Sequence, residues 1–340
     1  MTITLKTKHE DLIKAAHILD SGGVVAFPTE TVYGIGADAT NSQAVKKVFA
    51  AKKRPQDNPL IVTVSDKKML SRFANINQKA EKLIKNFWPG PLTLVLTLKN
   101  KKTLPSNVTA GLSTAAFRNP INKNTREMIA LLNKPIVGPS ANLSTKPSPT
   151  TALHVLHDLN GRIDAVVDNG QTQIGVESTI IDLSVKKPTI LRPGKITSQQ
   201  ISSILKEKIV DPSSISISKS ATPKAPGMKY RHYAPSKNVT IFSSTSFPQL
   251  KEKLKKTDSV VAFNKFIKTL DPTFYTWSLG NNAESATKEL FSALRYLDDQ
   301  KKVKSIFVQS LPEKGIGEAY MNRLKKASGN KYFPSKRRQN

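Results

Sequence analysis

Apolar positions along this chain follow two rhythms: short continuous runs suited to buried strands, and spacings of three and four suited to helices with one buried face. Residues 9–20, HEDLIKAAHILD, place Leu12, Ile13, Ala16 and Leu19 on one helical face, and Ser21-Gly22-Gly23 ends that helix. Val24 to Phe27 reads as a buried strand stopped by Pro28, which cannot donate to a ladder. The next eight residues, Thr29-Glu30-Thr31-Val32-Tyr33-Gly34-Ile35-Gly36, carry hydroxyls, a carboxylate and two glycines, and read as a loop that lets backbone approach a ligand closely. Ser42 to Ala51 is helical in period and delivers Lys52, Lys53 and Arg54 before Pro55 stops it.

The same reading predicts strands at Pro59–Val64, Leu92–Leu98, Ala115–Arg118, Ile136–Val137, Val166–Val167, Gly175–Ile181 and Thr189–Arg192. It predicts helices at Gln78–Phe87 and Thr151–Leu159, with Trp88-Pro89-Gly90-Pro91 as a rigid corner. A Ser-rich stretch from Asp211 to about Thr222 has no helical period and reads as a linker. Beyond it, strands near Val239–Phe242, Val260–Phe263 and Ile306–Val308 alternate with helices near Pro248–Lys256, Glu284–Asp299 and Gly317–Ala327. That alternation predicts a small parallel α/β domain.

With 340 residues and 38% hydrophobic content the chain can build a sizeable core in each of two domains. Its 53 Lys+Arg against 25 Asp+Glu give a formal net charge of +28, which favours polyanions such as RNA or nucleoside phosphates, although scattered lysines also describe a plain solvated surface. There is no cysteine, which excludes disulfides, thiolate metal sites and a Cys nucleophile. No apolar run approaches a membrane span and the amino terminus lacks an apolar signal core, so a soluble, cytoplasmic protein with no membrane partner is expected.

The chemistry-bearing residues cluster at strand ends. Gly34-Ile35-Gly36-Ala37-Asp38-Ala39 fits a dinucleotide fingerprint only loosely, because Asn41 and Ser42 intervene before the helix, and no P-loop sequence occurs. Arg118 ends a strand just before Asn119-Pro120, a position suited to clamping a ligand. Gly138-Pro139-Ser140-Ala141-Asn142 and the following Ser144, Thr145, Ser148 and Thr150 are either turn chemistry or phosphate and ribose contacts. His17 reads as a packing residue; His154 and His157, beside Asp158, share a helical face but lack a third spaced ligand, and no protein metal site is expected. Ala225 to Pro235, APGMKYRHYAP, combines bases, aromatics and fixed turns suited to covering a nucleotide, with domain-to-domain packing as the alternative.

In order and spacing, PTETVYGIGADA, KKRPQDNPL, FWPGPLTLVL, VGPSANLSTKPSPT, GVESTIID and LRPG resemble the YrdC-like domain of the L-threonylcarbamoyladenylate synthases. APGMKYRHYAP and LPEKGIGEAYMNRLKKASG resemble the linker and C-terminal domain of that family's two-domain form. The resemblance implies an α/β protein: a YrdC-like catalytic domain at 1–208, with a twisted mixed sheet, helices and a basic cleft; a linker at 209–237 covering the active site; and a Rossmann-like parallel α/β domain at 238–340. It implies a nucleotidyltransferase that makes threonylcarbamoyl-AMP and pyrophosphate from L-threonine, bicarbonate or CO2, and ATP. The product would serve threonylcarbamoyladenosine modification of tRNAs reading codons that begin with A.

Position by position, the resemblance implies threonine contacts from Thr31, Thr63, Arg118, Gly138 and Ser178, and ATP contacts from Arg54, Asn58, Thr114, Ser140, Ser148, Arg192 and Tyr230. Lys52 is a further candidate for phosphate charge, against the alternative of a solvated lysine; Lys52 and Arg54 are the catalytic candidates. Mg2+ is expected to ride on the triphosphate. A downstream threonylcarbamoyl transferase, and contact with tRNA or double-stranded RNA, are the expected partners. Where family members have His after the NPLIV strand this chain has Thr63, a hydrogen-bonding group that is no near-neutral acid or base. Two other readings compete: a nucleotide- and RNA-binding protein that keeps the cleft without chemistry, and a carbamoyl transferase. The joint presence of Arg54, Arg118, Ser178 and Arg192 argues against the first, and the absence of cysteine against the second.

Overall fold

Residues 1–210 and 232–334 are described by the computed structural model of the chain. The elements run β1 (Ile3–Leu5), α1 (His9–Asp20), β2 (Val25–Phe27), β3 (Gly34–Gly36), α2 (Ser42–Lys52), β4 (Ile61–Thr63), α3 (Lys67–Ser71), α4 (Gln78–Phe87) and β5 (Leu92–Thr97). They continue with α5 (Ser106–Thr109), β6 (Thr114–Arg118), α6 (Lys123–Leu132), β7 (Ile136–Val137), α7 (Ala152–Leu159), β8 (Ala165–Val167), β9 (Thr179–Asp182), β10 (Thr189–Arg192) and α8 (Ser198–Leu205). After the undescribed residues come β11 (Asn238–Phe242), α9 (Phe247–Lys253), β12 (Asp258–Ala262), α10 (Asn264–Ile267), β13 (Tyr275–Ser278), α11 (Ala283–Asp299), β14 (Ser305–Gln309) and α12 (Ile316–Ser328).

The chain divides into two compact units. The first comprises Met1–Ser144, Ser148–Gln173 and Glu177–Tyr230; the second comprises Thr145–Pro147, Ile174–Val176 and Arg231–Asn340. In the first, one sheet is ordered β1-β8-β2-β3 and another β10-β9-β5-β6-β4-β7, both mixing parallel and antiparallel pairs. Backbone hydrogen bonds join β3 to the β7 segment, Ile35 N–H to Pro139 O at 2.8 Å and Val137 N–H to Ala37 O at 2.9 Å, so the two sheets run on into each other.

Gly34–Gly36 is therefore a strand, antiparallel to β2, where the sequence suggested a loop. The glycine is demanded by packing: a Cβ on Gly34 would sit 2.5 Å from the Phe27 ring. Asn41 accepts from the Gln43 and Ala44 N–H groups and caps α2. A strand at the first two glycines and a polar cap before the helix leave no phosphate-binding turn, and the dinucleotide fingerprint falls away. In α1 the buried face is Leu12, Ala15, Ala16 and Leu19, whereas Ile13, grouped with that face from sequence, is 45% exposed, and His17 faces solvent instead of packing.

The second unit has an all-parallel sheet ordered β11-β14-β12-β13. Arg323, fully buried in α12, lies over the Tyr233 ring at 5.7 Å, and Tyr233 in turn meets Phe291 at 5.3 Å. Tyr233 thus belongs to this unit's core; Tyr230 and most of the expected linker lie outside the described residues. Trp277 meets Tyr296 at 5.1 Å with the rings tilted by 50°, and its indole N–H donates to Glu289. At the C-terminal turn of α11, Asp298 accepts from the Ser236 hydroxyl and from the Ser236 and Lys237 N–H groups. No helix among the described residues is long and apolar enough to cross a membrane.

Candidate active site

Register across the larger sheet of the first unit gathers residues far apart in sequence. Arg118, the last residue of β6, is paired with Thr63 on β4 and with Thr93 on β5, so the three side chains share one face in one row. Gly138 follows β7 at one end of that row, its N–H bonded to Ile61 O at 2.7 Å, and a Cβ there would fall 2.3 Å from Thr63 Oγ1. At the other end, Ser178 precedes β9; its Oγ lies 2.7 Å from Thr93 Oγ1 and accepts from Arg192 Nη2 at 3.1 Å. Arg192 Nε donates to Ser178 O at 3.0 Å.

Arg118 is 7% exposed and already oriented. Its Nη1 donates to Thr31 Oγ1 at 2.8 Å, its Nε to Gly90 O at 3.4 Å, and its Nη2 lies 2.7 Å from Glu30 Oε1. That last contact is an ion pair without an aligned hydrogen bond: both Nη2 and Oε1 keep unmet hydrogen-bonding capacity among the described residues. The other Glu30 oxygen accepts from Ile121 N–H at 3.2 Å. Glu30 also borders a cavity of about 370 Å³ lined with Asn122, Lys123, Asn169 and Thr172. Thr29 Oγ1 donates to Val32 O at 2.6 Å, so its 2.8 Å contact with Thr31 Oγ1 uses the Thr31 proton. Having accepted from Arg118 and donated to Thr29, the Thr31 hydroxyl offers a ligand only a lone pair.

Of the nucleotide candidates, Arg192 meets this row at Ser178 and the others lie away from it. Thr114 opens β6, four residues and about 13 Å along the strand from Arg118, on the same face. Asn58, buried before β4, keeps an unmet Oδ1, and its carbonyl accepts from Arg54. Ser140 bridges to Gly34, and Ser148, fully buried, donates to Glu177 Oε1. Lys52 is 1% exposed, so it is no solvated lysine; its ammonium holds the carbonyls of Ser140 and of Asn142, the latter at 2.7 Å. It thereby fixes the 140–142 turn. Tyr33 O accepts from Ala141 N–H in this turn, and its hydroxyl donates to Gly170 O and accepts from Asn169 N–H; burial pushes the hydroxyl up to about 12 and keeps it neutral.

His154 meets Thr150 and His157 meets Asp158, and no group of three or more His, Asp or Glu that could hold a metal occurs among the described residues. Sequence reasoning missed Glu30, Thr93 and Glu177 as members of the site. A carboxylate inside TET was visible, but its pairing with Arg118, 88 positions on, was not.

The family model described as "Telomere recombination" matches residues 17–194, and that described as "Threonylcarbamoyl-AMP synthase, C-terminal domain" matches residues 196–329. Threonylcarbamoyl-AMP synthase of Pyrococcus abyssi is 44% identical over 326 residues, 93% of each chain, and that of Bacillus subtilis 42% identical over 338 residues, 97% of this chain and 96% of the relative. The chain belongs to the threonylcarbamoyl-AMP synthase family. The crystal structure of P. abyssi Sua5 complexed with L-threonine superposes with a TM-score of 0.90 at 40% identity, covering 98% of this chain and 99% of that one. The two family models meet just before α8, inside the first compact unit, so their boundary does not coincide with the division between the units. The Thr63 hydroxyl fills the space beside Gly138.

Proposed function

We propose that this chain makes threonylcarbamoyl-AMP and pyrophosphate from L-threonine, bicarbonate or CO2, and ATP. The observation that carries the reading is Arg118: a buried guanidinium fixed by Thr31, Gly90 and Glu30, with donor capacity left for a planar carboxylate. The family and the threonine complex of the P. abyssi structure support it. In this reading Arg118 binds the substrate carboxylate, and Thr31, able only to accept, takes a hydrogen bond from the substrate amine or hydroxyl. Thr63, Gly138 and Ser178 close the row around it.

The threonine amine adds to CO2 and loses a proton to give a carbamate. A carbamate oxygen then attacks the α-phosphorus of ATP, forming the P–O bond as the bond to pyrophosphate breaks. No covalent protein nucleophile is needed; positioning and charge stabilisation suffice. Arg54, Asn58, Thr114, Ser140, Ser148 and Arg192 are the ATP contacts in this proposal, joined by Tyr230, which lies outside the described residues. Of the catalytic candidates, Arg54 stays with the phosphates and Lys52 acts by holding the turn at Ser140. Arginines, amides and hydroxyls suit phosphate oxygens better than a bare cation, so Mg2+ is proposed to arrive bound to the triphosphate. The product would pass to a threonylcarbamoyl transferase for tRNA modification, and the net charge of +28 is compatible with tRNA or double-stranded RNA as a partner.

The purified protein should release pyrophosphate from ATP only when L-threonine and bicarbonate are both present. Release at the same rate without threonine would overturn the synthase reading.

A further inference from the structure

We propose that Glu30 is a positioning residue for threonine recognition, acting through Arg118; the proposal rests on Arg118 being the contact to the substrate carboxylate. Glu30 is 4% exposed and its carboxylate stands 2.7 Å from Arg118 Nη2, while its second oxygen is held by Ile121 N–H. A buried guanidinium without a counter-charge turns toward any acceptor it can reach. Here Glu30 supplies that charge from one side, and Thr31 and Gly90 fix the rotation of the fork from two others. Because the contact with Glu30 is not an aligned hydrogen bond, it neutralises Arg118 without consuming the Nη2 donors.

Glu30→Gln separates charge from shape. The new amide must place its oxygen on the Ile121 N–H, where an acceptor is required, and this turns its NH2 toward Arg118 Nη2. Two donors then face each other, and the guanidinium is driven out of line. Glu30→Asp keeps the charge but withdraws it by one methylene beside a cavity that water can fill.

The test measures L-threonine and ATP binding by calorimetry on full-length wild type, Glu30→Gln, Arg118→Lys and the double variant. Glu30→Gln should weaken threonine by about tenfold or more while ATP affinity stays within about twofold. In the Arg118→Lys background the same change should alter threonine affinity by less than about twofold, because the planar fork that Glu30 orients is gone. If Glu30→Gln does not fold, Glu30→Asp takes its place, with a smaller loss of threonine affinity and the same disappearance in the Arg118→Lys background. If Arg118→Lys weakens threonine but Glu30→Gln does not, the proposal is overturned and the reading of Arg118 stands. If Arg118→Lys leaves threonine binding intact, the reading of Arg118 falls and takes the proposal with it. Equal losses of threonine and ATP, or a Glu30→Gln effect undiminished in the Arg118→Lys background, would make Glu30 a merely structural residue and also overturn the proposal.

Discussion

At Gly138 a single added methyl group would land 2.3 Å from the Thr63 hydroxyl oxygen, a distance no Cβ adopts without movement of the neighbour. Thr63 is β-branched, buried and paired in the middle of the sheet, so it cannot swing aside as a long flexible side chain would. Gly138→Ala should therefore cost about 1–3 kcal/mol through overpacking. Thr63→Ala removes the obstructing hydroxyl, so the double variant should recover part of that loss, read as a non-additive shift in urea unfolding midpoints. Strictly additive effects would mean that the strain is relieved elsewhere. At this scale Arg118 was legible, since a polar residue at the end of an apolar run stands out, whereas Ser178, inside a run that reads as one strand, came only from the resemblance. Thr93 was not: it looks like one of the alternating threonines of a strand until register sets it opposite Arg118 and beside Ser178. Lys52 was half legible: the sequence left it between phosphate charge and a solvated lysine, and its burial against the Ser140 and Asn142 carbonyls removes the second reading.

Short elements carried the least signal. The strand Gly34–Gly36 hid behind two glycines whose purpose is to clear the Phe27 ring, and β13 hid because all four of its residues are half-buried, which erases the in–out alternation of a strand. Helix α6 concentrates its buried large apolar residues in Met128, Ile129 and Leu132, little more than one turn of periodic pattern. By contrast α4 and α11, with full turns of amphipathic sequence, stand within a residue of their expected limits. The end of α11 also carries a pH dependence. Burial would raise the Asp298 carboxyl, but the Ser236 and Lys237 donors, helped by Lys146, hold it below the ordinary 3.8. A depressed folded pKa gives stability that is present above 3.8 and lost as pH falls through the lower folded value. Asp298→Asn should lower stability at pH 7 by about 1.5–3 kcal/mol, the worth of charge-assisted hydrogen bonds. The gap to wild type should narrow between pH 4 and pH 2, as followed by thermal melting. A gap that stays constant with pH would show that the carboxylate charge contributes nothing there.

For the molecule as a whole, the division into two units was readable because a Ser-rich stretch without period separates two sets of alternating elements. That Thr145–Pro147 and Ile174–Val176 join the second unit was not readable, since nothing local distinguishes them. The absence of cysteine excluded thiol catalysis and the charge of +28 pointed to polyanions in general, but the substrate itself was carried by the motifs. The two tryptophans fall one to each unit, Trp88 in the first and Trp277 in the second. Trp88 donates its indole N–H to Leu92 O at 2.7 Å, and two residues further on from it stands Gly90, whose carbonyl receives Arg118 Nε. The protein therefore contains an optical reporter near the proposed amino-acid clamp at Arg118 and a second one beside the Tyr296 ring. In a Trp277→Phe background the emission of Trp88 should change with added L-threonine and saturate at the affinity measured by calorimetry. Emission indifferent to threonine would place the bound amino acid away from Gly90. The reciprocal Trp88→Phe protein gives the melting of the second unit in isolation from the first, without any label having to be attached.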